Sequence, residues 1–193
     1  MGAKTTITSR RRSASKHEAI IDSAAQIASD IGYAASTIEL IAARAGVGKQ
    51  TIYRWWPSKP ALYLETYTYL VASVTMPGSD ADCRDRLRQF LVALFRRYAQ
   101  TGAGDIFRGL IGEIANNADV RQAVKSGLFL GRSSALLDPI LHGIANGELA
   151  SVKHAEDAAD VVIALIWKQL LIDPSELDAH FAKRVVDTAL GLQ

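Results

Sequence analysis

The side chains of this 193-residue sequence best suited to meeting a polyanion lie in one short run, Gly46-Val47-Gly48-Lys49-Gln50-Thr51-Ile52-Tyr53-Arg54-Trp55-Trp56. The amide of Gln50 presents one donor and one acceptor, the pair that the edge of adenine complements, and Lys49 reaches either guanine acceptors or a phosphate. Thr51, Tyr53 and Trp55 carry O–H or N–H donors, and Gly48 keeps its backbone N–H. Ile52 and Trp56, four residues apart, share the opposite side of a helix, which turns the polar set outward. Thr37 and Lys59 fall where flanking helices begin, so a hydroxyl and an ammonium there join the free N–H groups and positive dipole end that attract a phosphate. Arg44 adds a cation to the same set.

Charge is distributed to match. Residues 1–60 carry nine Lys and Arg against four acids, a net +5, whereas the remainder carries −3, so the formal +2 of the whole chain conceals a basic end. A positive field at one end draws in nucleic acid, and the neutral-to-acidic remainder suits folding, association or holding an uncharged molecule.

Catalytic patterns are not found. His17, His142, His154 and His180 are scattered; Asp138 and His142 stand one turn apart, the spacing of a surface pair; Gly102-Ala103-Gly104 follows no strand and so is no nucleotide loop. Cys83 is the single cysteine, which excludes an intrachain disulfide and leaves a structural zinc site without thiolates. The expectation is a protein with no catalytic residues, no metal and no cofactor. No apolar stretch is long enough to span a bilayer, and a cytoplasmic location is expected.

The elements that must hold the basic run follow from its periodicity. Residues 1–15 read as a disordered basic arm with Arg10, Arg11 and Arg12. It lacks the apolar centre of a secretory signal, though Gly2 with Thr6 fits the loose myristoylation pattern and the acid-free run resembles a transit peptide. From Lys16, Ile20, Ala24, Ile27, Ala28 and Ile31 form one helical face, which Gly32 can end. Ser36-Thr37-Ile38-Glu39 has capping-box spacing and opens a second helix with Ile38, Ile41, Ala42 and Ala45 inward. Gly46 supplies a sharp turn, and a third helix runs from about Gly48 to Trp55 until Pro57 stops it. Ser58 caps a fourth helix reaching to about Val74, and the breakers Met76-Pro77-Gly78-Ser79 mark a domain boundary. The domains expected are thus 16–76 and 77–193.

In the second domain Leu87, Phe90, Leu91, Leu94 and Tyr98 make an amphipathic stripe stopped by Gly102 and Gly104, and Phe107, Leu110, Ile111 and Ile114 make a short one. A long helix is expected from Val120 to about Ile144, bent at Gly127, Gly131 or Pro139. Asn146-Gly147 closes it. Two final helices, about His154 to Ile172 and Ser175 to Leu192, should be antiparallel, and the first is apolar on two sides, as if a second copy of the chain packed there.

The segment Thr37 to Lys59 closely resembles the signature of the TetR family of transcriptional regulators, and the resemblance spans about residues 16 to 75. It implies an all-α protein: a three-helix helix-turn-helix DNA-binding domain, then a larger helical domain for effector binding and dimerisation. It implies double-stranded operator DNA as partner, a homodimer formed through the last two helices, and release from a palindromic site by a small, largely apolar effector. Repression is the usual outcome in the family. The DNA-binding set would be Thr37, Arg44, Gly48, Lys49, Gln50, Thr51, Tyr53, Trp55 and Lys59. Trp55 stands where the family often has histidine and Gly48 where it often has a small hydroxyl residue. Phe90, Leu94, Phe107, Ile111 and Trp167 could line an effector cavity. An effector-independent DNA-binding regulator or scaffold with a filled core is the alternative.

Overall fold

The computed structural model describes residues 3–78, 81–123, 125 and 130–191, with side chains from residue 14 onward apart from 123 and 130–134. Among them the chain is all helical. The first helix, α1 (Ala3–Ala35), is followed by α2 (Ile38–Ala45), α3 (Lys49–Tyr53) and α4 (Lys59–Val71). The residues expected as a disordered arm are helical from Ala3, because neither glycine nor proline interrupts the run to Ile31 and its Ala, Arg and Lys residues accept helical backbone at little cost. Gly2 lies outside the described residues.

Ile20, Ile21, Ala24, Ile27 and Ala28 are buried along the inner face of α1. Ile31, expected on that face, is 50% exposed, because the regular helix ends there. At Gly32 the backbone leaves the helix with φ 82° and ψ 162°, a conformation that only glycine adopts freely. One further turn, Tyr33 to Ala35, completes the element.

Beyond a loop, α5 (Cys83–Gln100) and α6 (Ala103–Glu113) follow. Gly104 does not stop a helix as expected but lies in the first turn of α6, its space bounded by Tyr98. Then come α7 (Ala118–Ala123) and α8 (Leu130–Ala145), which lie within the span expected for one long helix; Gly127 lies outside the described residues and Pro139 is inside α8. Gly147 (φ 85°) closes the turn after α8. The antiparallel partners at the end are α9 (Ala155–Ile172) and α10 (Ala179–Leu190). The last helix starts four residues later than the periodicity suggests. Asp173 accepts the Ser175 N–H, which folds Pro174–Glu176 into a 3-10 turn, and Asp178 becomes the N-cap of α10 by accepting from Phe181 N at 2.7 Å.

The two halves meet at α6, which packs against α1 and against α4. The joint is organised around Tyr33, 97% buried. Its N–H donates to Asp105 Oδ2 at 2.5 Å and its hydroxyl to Glu113 Oε1 at 2.6 Å, both on α6. Its carbonyl accepts from Lys59 Nζ of α4 at 2.7 Å, and the same ammonium lies 4.2 Å from the centre of its ring. Gly109 makes the approach possible: a Cβ there would stand 2.2 Å from Tyr33 Cδ1.

The core is continuous. Tyr63 and Tyr67 of α4, Phe90 and Leu91 of α5 and Leu110 of α6 are nearly inaccessible. Tyr67 and Tyr98 satisfy each other's hydroxyls at 2.7 Å inside it. Arg97 reaches from α5 to the Leu70 carbonyl (2.5 Å) and Arg84 to the Gly191 carbonyl (2.8 Å), fastening the ends of α4 and α10 to α5. Among the described residues no helix is long and apolar enough to cross a membrane.

Replacing Gly109 by alanine forces Tyr33 off its seat and should lower stability by about 1–3 kcal/mol. Gly112→Ala, where nothing lies within 4 Å of the new methyl, should raise it by up to about 1 kcal/mol. Urea unfolding of both variants checks the contrast. Tyr33→Phe should cost about 1–2 kcal/mol near neutral pH through loss of the bond to Glu113. Burial first, then Glu113, raises the Tyr33 phenol well above the ordinary tyrosine value. Its contribution is therefore full below the unfolded pKa of about 10 and declines as pH rises beyond it, so the gap between wild type and Tyr33→Phe should narrow in unfolding experiments above that pH.

Candidate nucleic-acid interface

Two short helices and a tight turn present the basic run. The start of α2 is set one residue later than the capping-box spacing suggests. Thr37 is the N-cap, with Oγ1 accepting the Leu40 N–H at 3.2 Å, while Ser36 is buried and donates its hydroxyl to the Tyr33 carbonyl at 2.7 Å. The reason is local: Gly32 breaks α1 and leaves the Tyr33 carbonyl without a regular helical partner, and it draws in Ser36 Oγ, Ser36 N and Lys59 Nζ together. Glu39 is thereby free to turn elsewhere.

After Ala45 the chain reverses at Gly46 (φ 64°, ψ 35°), whose N–H caps the Ala42 and Ala43 carbonyls, and Val47 N adds a bond to Ala42 O at 3.0 Å. A left-handed residue with these two bonds is the usual glycine termination of a helix. Gly48 is the N-cap of α3, with no side-chain cap. Although α3 itself is shorter than expected, amides of Trp55 and Trp56 bond back to the Ile52 carbonyl and carry the helical turn to the brink of Pro57. Ile52 is fully buried and Trp56 is 97% buried, with the indole N–H of Trp56 donating to Glu65 Oε2 at 2.7 Å. These two residues bolt one side of α3 to the core.

The opposite side is open. Gly48, Lys49 and Gln50 are exposed, Thr51 is partly exposed, and Tyr53 is 50% exposed despite its apolar ring. Trp55 is half-buried, its ring edge-on to Trp56 and to His17, with the Arg54 guanidinium 5.4 Å from its centre. Two of the cations expected at this surface are already paired. Lys49 Nζ stands 2.9 Å from Glu39 Oε1, and Arg44 NH1 stands 2.7 Å from Asp30 Oδ2. The hydrogen bond to Glu39 raises the Lys49 pKa, and the same bond lowers that of Glu39. Lys59 turns its ammonium to the Tyr33 and Ala34 carbonyls, and burial lowers its pKa.

Several of these contacts give no local signal in the sequence. His17 Nε2 meets Glu65 Oε1 at 2.9 Å, so Glu65 joins α1, α4 and Trp56 in one cluster behind α3. Lys49 and Glu39 are ten positions apart on different helices, and only the turn at Gly46 brings them together.

The residues expected around an effector fall in the buried interior of the second half. Phe90 and Leu94 on α5, and Phe107 and Ile111 on α6, are buried, while Trp167 on α9 is partly so. Phe107 stacks on Tyr67 at 5.0 Å and meets Trp167 edge-on at 5.9 Å, so these aromatics pack against one another.

Thr37→Ala should lower stability by about 1 kcal/mol, whereas Thr37→Ser should stay close to wild type, because the lost quantity is the cap on Leu40 N. Chemical denaturation of the two variants measures the difference.

Comparison with known proteins agrees with this geometry. The family described as bacterial regulatory proteins, tetR family, matches residues 20–66, and the tetracyclin repressor-like C-terminal domain matches residues 79–189. The chain is 25% identical over 186 residues to the uncharacterized HTH-type transcriptional regulator YdeS of Bacillus subtilis, covering 95% of this chain and 93% of that protein. It is 26% identical over 142 residues to the HTH-type regulator Rv1556 of Mycobacterium tuberculosis, covering 72% of this chain and 69% of that one. Among solved structures, the TetR family transcription regulator SCO0332 superposes with a TM-score of 0.75 at 26% identity, covering 91% of this chain and 96% of that one. FadR from Bacillus subtilis, solved in complex with stearoyl-CoA, shares the fold with a TM-score of 0.67 at 19% identity, covering 90% of this chain and 97% of that one. The chain belongs to the TetR family and is a DNA-binding transcriptional regulator.

Proposed function

We propose that the protein is a repressor that binds a palindromic operator as a homodimer and lets go when a small, largely apolar effector occupies its C-terminal domain. The observation that carries the DNA reading is the division of α3: Ile52 and Trp56 locked into the core, Gln50 and Tyr53 facing solvent. A helix so fixed presents its outer side chains to a major groove at a defined angle. In this reading Gln50 reads a base. Gly48, Thr51, Tyr53, Trp55 and Thr37 engage the backbone, and Arg44, Lys49 and Lys59 supply charge.

Dimerisation through the last two helices is supported by the outer side of α9. Val161, Leu171 and Ile172 are exposed there, Ile172 to 76%, with Leu165 half-buried on the same face. The outward residues of α10 are polar, among them Lys183, Arg184 and Thr188, so α9 would provide the apolar part of the contact. A second copy covering this strip brings two α3 helices to one face of the duplex, and their separation selects the half-site spacing.

The effector reading is supported by FadR of Bacillus subtilis, which shares the fold and is solved in complex with stearoyl-CoA, a molecule with a long acyl chain. The packed group of Tyr67, Phe107 and Trp167 favours the other reading, a regulator whose core is filled and which answers to no ligand.

Selection from a randomised duplex pool should recover a site with two-fold symmetry; recovery of unrelated fragments would defeat the operator reading. Gln50→Ala should relax the preference at one position of each half-site by about 1–3 kcal/mol, and Tyr53→Phe should weaken all duplexes alike. Binding assays on matched and mismatched oligonucleotides separate the two effects.

A further inference from the structure

His17 is the one histidine in the N-terminal half of the chain; His142, His154 and His180 belong to the C-terminal half. Its partly exposed ring on α1 is enclosed by groups from two other parts of the fold. One oxygen of Glu65 on α4 lies 2.9 Å from His17 Nε2, and the other accepts the Trp56 indole N–H at 2.7 Å. The Trp56 ring lies 4.7 Å from the imidazole at a tilt of 34°, close to stacking, and the Trp55 ring meets it more nearly edge-on at 5.4 Å.

Trp56 is buried in the core, but Trp55 keeps part of its ring in solvent, and that ring is held by Trp56, by His17 and by the Arg54 guanidinium. A side chain fixed in this way loses little freedom when it binds. The charges around the imidazole are few. Glu65 faces it from α4, and Arg54 stands beyond Trp55. On α1 the adjacent Lys16 and Glu18 are exposed and opposite in sign, and Ala14, Ile20 and Ile21, one turn away, are uncharged. A phosphate brought to the Trp55 N–H would add an anion close enough to the imidazole for its charge to matter.

We propose that His17 is a positioning residue of the DNA contact, acting through Trp55, and that a duplex phosphate held by the Trp55 N–H draws a proton from solvent onto the His17 ring. This rests on the reading of Trp55 as a contact to the DNA backbone. In the complex the imidazolium stands between two anions, Glu65 on one side and the phosphate on the other. The complex then binds that proton more tightly than the free chain does, so affinity is greatest on the acid side and declines as pH rises through the histidine range.

The test is fluorescence anisotropy of the full chain on a labelled duplex, the tightest binder recovered from the randomised pool whatever its symmetry. Salt is held fixed and pH is varied from about 6 to about 8. Wild type should lose about three- to tenfold in affinity across that range. His17→Gln, which keeps a donor for Glu65 and takes no proton, should give a flat profile at the level of wild type at the alkaline end. His17→Arg, whose planar cation can stack on an indole and pair with a carboxylate, should be flat at the level of wild type at the acid end. Trp55→Phe, which keeps a ring beside His17 and loses the N–H, should flatten the profile too, because no phosphate is then held there. A flat wild-type profile, or a slope that survives unchanged in His17→Gln or in Trp55→Phe, would overturn the proposal. If His17→Gln fails to fold, His17→Arg and Trp55→Phe decide. Because every arm uses a duplex that binds, none of these results touches the operator reading.

Discussion

The position of one buried tyrosine governs how the two halves of this protein sit on each other. Every polar atom of Tyr33 is engaged, and the partners belong to different elements: Asp105 and Glu113 on α6, Lys59 on α4, Ser36 at the start of α2. A buried phenol, amide and carbonyl left without partners would each cost free energy comparable to a lost hydrogen bond, so the arrangement works only if α6, α4 and the end of α1 keep their mutual spacing. The break at Gly32 and the missing side chain at Gly109 are the two backbone conditions that let it form. Displacing α6 relative to α4 therefore means exchanging a satisfied set of bonds for another one, and intermediate positions are penalised.

A different set of long-range contacts makes α3, only five residues long, a dependable element. A helix of that length has no stability of its own in water. Its geometry is inherited from Ile52 and Trp56 in the core, from the glycine turn before it and from Glu65, which holds Trp56 and His17 together. The exposed residues can then be chosen for what they touch, since none is needed to hold the helix in place.

Much of this could be read from residue order alone. The turn at Gly46, the inward pair Ile52 and Trp56 and the outward set between Lys49 and Tyr53 are local features, encoded in a spacing of three or four residues and in one left-handed position. The start of α2 lies one residue beyond the capping-box position because Ser36 and Thr37 are equally good caps by type; what separates them is a carbonyl at the end of α1 that claims Ser36. Tyr33 gave no sign of its importance, since Asp105 and Glu113 lie 72 and 80 positions away. The late start of α10 depends on whether Asp173 or Asp178 caps, again a choice between equivalent residue types. Helix identity is thus local information, while helix ends and the joint between domains are settled by long-range partners.

The ion pairs Arg44–Asp30 and Lys49–Glu39 mean that two cations of the proposed DNA-contact surface are already paired in the free protein. For either to serve a phosphate, a carboxylate must be given up, and that acid is then stranded in the negative potential of the duplex. The exchange returns far less free energy than the approach of a solitary cation, and it returns about the same for every sequence. In the proposed complex the discrimination between one site and another would then fall to the uncharged side chains of α3.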